Sequence, residues 1–201
     1  MANTGGAGKN YKLARAGRVF FSTTNPDAVA PDLFGALGFE AMTPLLVARN
    51  PSTSSRVCTI ESASIILTGA PASYANLRAM VDPVDRYVTS SGIQHTPGWG
   101  NPRANLTDST RSPAYTPVLE VYDEEPDLEA AGFTDSAGNV SVAMEVDYGA
   151  LPSGVGNIGE FDLGNSVVLE PGAIFMIYGW DTAGSSRYRW SLRWSEEVVQ
   201  A

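Results

Sequence analysis

The sequence contains little of the residue types on which most catalytic and metal centres depend. Among 201 residues there is one cysteine, Cys58, and one histidine, His95. A single cysteine cannot form a disulfide within the chain, and one residue of each type cannot supply an ordinary zinc site of cysteine and histidine ligands. A catalytic triad would have to use His95, which lies in a predicted loop, and the sequence has no nucleophile motif. These absences favour a non-enzymatic protein that folds in a reducing cytoplasm.

Long apolar runs and nucleotide-binding motifs are also missing. No stretch approaches 18 consecutive apolar residues, and the N-terminus lacks the apolar core of a secretory signal. No glycine-rich phosphate-binding motif follows a predicted strand. We therefore expect neither a membrane partner nor a bound cofactor.

Basic residues are unevenly distributed along a chain whose formal net charge is -9. From residue 112 to residue 186 there is no Lys, Arg or His, and 13 carboxylates occur there. The segment 1–26 has no acid, and its basic residues are Lys9, Lys12, Arg15 and Arg18. Chance and solubility would explain this segregation, but it also predicts that the basic segment meets an acidic surface across a subunit interface.

The segment RYRWSLRWSEE, residues 187–197, alternates apolar and polar side chains, which is typical of a strand with one buried face. The residues of the predicted core face are Tyr188, Trp190, Leu192 and Trp194. The opposite face carries Arg187, Arg189 and Arg193. We expect these arginines either to form a solvated rim or to pair with the acidic region of this chain or a neighbour, and we count them as candidate interface residues.

Short apolar segments between Gly/Pro-rich turns predict eight to ten strands and no alternation of helix with strand. Residues 41–69 are expected to form a hairpin with a long turn, and residues 159–180 to contain two strands around a Pro-Gly turn. One helical turn is expected near Asp32. The predicted fold is all-β: an antiparallel two-sheet sandwich of jelly-roll type.

The expected domain organisation is simple. Residues 1–12, rich in Gly, Ala and Asn, are predicted to be a flexible arm, and residues 13–201 a single β-sandwich domain. Within that domain, residues 85–117 contain four prolines and are predicted to be a loop-dominated insertion with a functional role or a partner.

The densest cluster of carboxylates lies between residues 120 and 129. It lacks the spacing of an EF-hand, so a solvated, charged loop is the preferred interpretation and a structural calcium ion is the alternative. Three of its members, Asp123, Glu124 and Glu125, are candidate interface residues because they could face the arginines.

Nucleic acid binding is disfavoured, although residues 187–197 interleave arginines with aromatic residues. Strict alternation places the rings on the face opposite the arginines, whereas a stacking platform for bases needs both on one face. The net charge of -9 would also repel phosphates.

Several segments resemble β-sandwich structural proteins of tailed bacteriophages. LLVARNPSTSSRVCTIES is similar to their unit of apolar strand, Asn-Pro, Ser-rich turn and strand. DRYVTSSG resembles the segment that opens their central loop, and VVLEPGAIFMIYGW followed by RWSLRWSEE resembles their closing hairpin. The resemblance is a pattern of strands and turns that covers most of residues 13–197, and the acidic segment 120–135 fits it least.

This resemblance implies an oligomeric virion structural protein without catalytic residues, synthesised in the host cytoplasm. We expect a homotrimer on the capsid surface, as a decoration, cement or head-fibre-base protein that contacts the major capsid protein or other virion proteins. A tail or baseplate component is the alternative within this class. A carbohydrate-binding or glycan-cleaving module, using the carboxylates of residues 120–129 and aromatic residues such as Trp99, is the alternative from another class.

Overall fold

The computed structural model describes residues 18–24, 32–33 (backbone alone), 38–69, 74–95, 116–152, 154–161, 163, 167–182 and 186–198. This part of the chain contains no helix, and therefore none that could cross a membrane. Its twelve strands are β1 (Val19–Thr23), β2 (Asp32–Leu33), β3 (Leu46–Arg49), β4 (Arg56–Gly69), β5 (Tyr74–Asp82), β6 (Ile93–His95), β7 (Glu120–Asp123), β8 (Met144–Pro152), β9 (Ile158–Phe161), β10 (Val167–Leu169), β11 (Ile174–Asp181) and β12 (Arg187–Val198).

The strands form two antiparallel six-stranded sheets. Sheet A has the order β1-β12-β4-β10, with β2 beside β12 and β9 beside β4, and sheet B has the order β6-β7-β3-β11-β5-β8. The chain changes sheet six times: from β2 to β3, from β3 to β4, from β4 to β5, from β8 to β9, from β10 to β11 and from β11 to β12. The four-strand orders β1-β12-β4-β10 and β3-β11-β5-β8 are those of a jelly roll. The predicted all-β two-sheet sandwich is confirmed.

The hairpin predicted for residues 41–69 is wrong. Both strands exist, but β3 belongs to sheet B and β4 to sheet A. The side-chain amide of Asn50 donates to the carbonyls of Arg56 and Leu169 at 2.9 and 2.8 Å, so the turn is held to a strand that follows much later in the chain. Residues 50–55 therefore carry the chain across the sandwich instead of reversing it within one sheet.

The Pro-Gly turn within residues 159–180 behaves in the same way. Gly172 has a φ of 90°, a conformation that suits glycine, and the turn joins β10 in sheet A to β11 in sheet B. The closing hairpin implied by the resemblance is also wrong, because β11 and β12 lie in different sheets. Instead of a helical turn near Asp32, the backbone of Asp32–Leu33 pairs with β12 and extends the edge that β1 begins.

The main core lies between the sheets and contains the predicted apolar face of β12. Tyr188, Trp190, Leu192 and Trp194 are all at most 1% exposed. Burial of a side chain of this size contributes about 1.5–3 kcal/mol to the free energy of unfolding.

A second apolar cluster covers the outer face of sheet B. Leu128 and Phe133, from the acidic segment, are buried against it, and Tyr87 stacks on Tyr122 with ring centroids 4.0 Å apart. The interpretation of residues 120–129 as a solvated loop is therefore wrong in part, because apolar side chains between the acids anchor the segment to the sheet.

Candidate functional site

The only histidine of the chain forms a buried hydrogen-bonded group with a carboxylate and a tryptophan. His95 Nε2 lies 2.5 Å from Asp123 Oδ1, and Trp190 Nε1 donates to Asp123 Oδ2 at 2.5 Å. The rings of His95 and Trp190 meet edge to face with centroids 5.1 Å apart. His95 thus lies at the end of strand β6, not in a loop as predicted. Asp123 is 1% exposed, and its carboxylate accepts a hydrogen bond from the core residue Trp190. Its assignment as an interface residue is therefore wrong.

The chain turns sharply just after this group. Glu124 and Glu125 have φ angles of 55° and 62°, in the left-handed region that costs a residue with a side chain about 1–2 kcal/mol. Gly92 faces the same turn, and a Cβ on it would lie 2.5 Å from the carbonyl oxygen of Asp123. Both glutamates are exposed and remain candidate interface residues.

A buried glutamate at the end of β12 anchors a segment that leads into sheet B. Glu196 is fully buried, and its Oε1 accepts hydrogen bonds from the amides of Val118 and Leu119 and from the indole of Trp194. Its Oε2 lies 2.8 Å from a guanidinium nitrogen of Arg56. Sequence reasoning missed this residue, although Glu196 continues the alternating phase of the buried aromatic face.

Two other buried carboxylates also hold turns. Asp82 accepts from the amide of Val84 and pairs with Arg86 at 2.8 Å. Asp181 accepts from the backbone amide and the hydroxyl of Ser186. These carboxylates, like that of Glu196, are occupied by donors of the chain itself and serve the fold.

The arginine face of β12 finds a partner that the sequence did not predict. Arg193 Nε lies 2.8 Å from Glu61 Oε2, and the two side chains are 49% and 6% exposed. Glu61 occupies a bulge where the register between β12 and β4 shifts. Within the chain, Arg193 therefore pairs with Glu61 and not with the acidic region 112–186, and pairing with that region of a neighbouring chain stays a prediction. Arg187 is exposed, and Arg189 is half-buried, with no hydrogen-bond acceptor for its Nε within the described chain.

Exposed apolar side chains gather on one side of the sandwich, which we call the β8–β10 side. Of the ten large apolar side chains that are exposed in the described chain, six belong to β8, β9, β10 or the segments adjoining them in sequence, and a seventh, Tyr74, begins β5 opposite the end of β8. They are Tyr74, Val142, Met144, Tyr148, Val155, Ile158 and Val168. Met144 is 67% and Tyr148 50% exposed. These side chains flank the edge on both faces of the sandwich, since Tyr148 lies on the outer face of sheet B and Val168 faces outward from sheet A. Exposed apolar side chains concentrated along one edge make it a candidate interaction surface.

The β8–β10 side is also acidic. Its strands lie within the part of the sequence that has no basic residue, and they carry Glu145, Asp147 and Glu160. Glu145 lies beside Arg78 of β5, whose Nε is 2.8 Å from Glu145 Oε2 in a geometry that does not make a hydrogen bond. A partner of this side should therefore combine apolar and basic side chains.

Arg78 is also the centre of an aromatic group on the outer face of sheet B. Its guanidinium carbon lies 4.5, 5.7 and 5.9 Å from the ring centroids of Phe39, Tyr148 and Trp180. The phenol of Tyr148 donates to the amide oxygen of Asn76. No sequence pattern brought these residues together, since the face they share depends on the order β11-β5-β8.

The remaining predicted site residues are only partly accounted for. Lys9, Lys12, Arg15 and Trp99 lie outside the described residues, and Arg18 contributes its carbonyl to the amide of Glu196. For calcium, no group of three or more described His, Cys, Asp or Glu side chains is arranged to hold a metal ion.

No protein-family model matches the chain, and no curated protein matches it in sequence.

Proposed function

We propose that the protein is a non-enzymatic structural protein of a bacteriophage virion, placed on the capsid surface as a decoration, cement or fibre-base protein. The observation that carries the proposal is the β8–β10 side, where a jelly roll leaves an acidic edge strand and seven large apolar side chains open to a partner. A protein that braces a shell needs such a surface, because its work is done by burying area between subunits.

The hydrogen bonds of the buried carboxylates also support a structural, non-enzymatic role. Asp82, Asp181 and Glu196 each bind donors that close turns or join segments, and Asp123 binds a core tryptophan. Such carboxylates are committed to the fold and are not presented to a substrate. The jelly roll occurs in viral capsid proteins and also in lectins, so the fold agrees with the proposal without selecting it.

The position in the virion is tested by mass spectrometry of purified phage heads and tails. The proposal expects peptides of this chain in the head fraction, in constant ratio to the major capsid protein. Particles that lack the chain should lose DNA at a lower temperature than complete particles. Peptides confined to tails would favour the tail or baseplate alternative, and their absence from virions would overturn the proposal.

A second function is favoured by the aromatic group around Arg78. The rings of Tyr148 and Trp180 lie beside the guanidinium of Arg78 and the carboxylate of Glu145. On such a surface a sugar ring can stack on the aromatic rings while its hydroxyls form hydrogen bonds with the polar groups. Trp180→Ala and Tyr148→Ala should then abolish binding on a glycan array, while Val84→Ala, at an exposed position elsewhere, should not. Release of reducing sugar from host polysaccharide would further indicate a glycanase.

A further inference from the structure

We infer that the β8–β10 side binds the basic N-terminal segment, residues 9–17, of a second copy of the chain. This inference rests on the assembly role proposed above and names the partner of that surface.

The main observation is the open edge of β8. This nine-residue strand pairs with β5 along one edge, and no described strand pairs with its other edge. The backbone amides and carbonyls of an open edge form a ready template for an added strand. In β8, only Leu151 is buried.

The charges of β8 disfavour its own copy as the added strand. Glu145 and Asp147 are its only charged residues, and antiparallel pairing of β8 with β8 of a second molecule in a register centred near Val146 would place these carboxylates opposite each other. Like charges on paired strands destabilise the pairing. The bulge at Val146 also disturbs the regular pairing of this strand. An added strand should carry basic side chains, because Glu145 and Asp147 make β8 acidic.

The chain itself contains a segment with the required chemistry. Residues 9–17, KNYKLARAG, combine Lys9, Lys12 and Arg15 with Tyr11 and Leu13, in a region of the sequence that has no acid. The basic side chains complement the carboxylates of β8, and the apolar ones complement Met144 and Tyr148 on the exposed side.

The topology favours a neighbouring copy as the source of the segment. The described chain begins at Arg18, next to β1, and β1 and β10 lie at opposite edges of sheet A. Copies placed side by side therefore bring the start of one chain to the β8–β10 side of the next. Nine extended residues reach about 30 Å, which is enough to extend from β1 of one copy along the edge of a neighbouring copy. Such a contact is heterologous, and it closes into a ring such as the predicted trimer.

The test is disulfide trapping between two different single-cysteine variants. Lys12→Cys protein and Met144→Cys protein are mixed and oxidised, and the inference expects a heterodimer linked through these two positions. The native Cys58 does not compete, because it is buried and burial raises the pKa of its thiol. Val84→Cys in place of Met144→Cys is the matched control, since Val84 is 48% exposed and lies outside the β8–β10 side.

A second measurement removes the first four residues of the segment, which include both of its lysines, Lys9 and Lys12. Deletion of residues 2–12 should leave the circular dichroism and melting of the subunit unchanged and reduce the mass in light scattering from that of an oligomer to that of one chain. A monomeric wild-type protein, an oligomer that survives the deletion, or trapping no greater than with Val84→Cys would overturn the inference. These results are independent of virion mass spectrometry, so the inference and the proposed function can fail separately.

Discussion

The indole of Trp190 and the carboxylate of Asp123 are joined by a 2.5 Å hydrogen bond that connects sheet A to sheet B through the core. Both residues are 1% exposed, and the second carboxylate oxygen binds His95. Any shift of one sheet relative to the other would break this bond and leave a buried carboxylate oxygen without its donor, which costs free energy. The bond therefore helps to fix the relative position of the two sheets.

Substitution of Trp190 should separate the contribution of packing from that of this bond. Trp190→Ala should lower the free energy of unfolding by about 3–5 kcal/mol, because it empties a large buried site. Trp190→Phe retains most of the apolar volume but leaves Asp123 Oδ2 without its donor, at a cost of about 1–3 kcal/mol. Urea denaturation monitored by circular dichroism measures both.

The control is a double-mutant cycle with Asp123→Asn. If the two side chains interact, Trp190→Phe and Asp123→Asn should be non-additive by at least about 0.5 kcal/mol. Strict additivity would show that the bond adds nothing to stability. A freely substitutable, exposed Trp190 would mean that the two faces of β12 are reversed.

Glu196 should be the most sensitive acidic residue of β12. Glu196→Ala removes the acceptor of two backbone amides and leaves Arg56 without its carboxylate, which should cost about 3 kcal/mol or more. Hydrogen exchange should accelerate selectively at Val118 and Leu119. Glu197→Ala, at the next position, is the control and should leave these amides protected.

Arg193 should stabilise the subunit and not the assembly. Arg193→Ala leaves the Glu61 carboxylate without its partner and should cost about 1 kcal/mol, discounted because half of the arginine side chain is in solvent. Glu61→Gln in the same chain should recover part of that loss. Arg187→Ala should be silent in thermal melts. If Arg193→Ala changed the salt dependence of assembly without affecting melting, the pair with Glu61 would not be the relevant contact.

Alkaline pH should destabilise the fold through Tyr122. Burial, and then its hydrogen bond to Glu120, raise the pKa of the Tyr122 phenol from 10.0 to about 12. The folded chain keeps this proton between pH 10 and 12, where the unfolded chain releases it. The stabilisation is thus complete below pH 10 and is lost as pH rises to 12.

Denaturation midpoints between pH 9 and 12 test this prediction. Tyr122→Phe should flatten the decline. Some slope should persist in this variant, because burial also raises the pKa of Tyr87 and Tyr178. An identical slope in wild type and Tyr122→Phe would contradict the assignment.

The sequence predicted those features of the fold that depend on the alternation of apolar and polar residues along a single strand. The inward face of β12 follows from a strict period of two, and the same period continues to Glu196. The bulge at Glu61 was not predicted, although the apolar residues Cys58, Ile60, Ala63 and Ile65 of β4 are buried and the spacing of three between residues 60 and 63 marks the extra residue. These features depend only on neighbours along one strand.

The sequence could not predict what depends on which strands become neighbours. Asn50 looks like a hairpin turn residue, and only its bond to Leu169 shows that the turn crosses between sheets. The pairing of His95 with Asp123 joins positions 28 residues apart, and Arg193 meets Glu61 across 132 positions. Likewise β8 is an edge strand only because of the sheet order, although its acidic residues were a usable signal.

The place of β12 in sheet A has a consequence for synthesis on the ribosome. β12 lies between β1 and β4 in space, yet it is translated after every other described strand. Until it emerges, β1 has no partner strand in sheet A, and Asp123, Val118 and Leu119 lack Trp190 and Glu196. Folding dominated by such distant pairings is slow. The apolar strands of the nascent chain therefore stay exposed to solvent until β12 has been synthesised and completes both sheet A and the core.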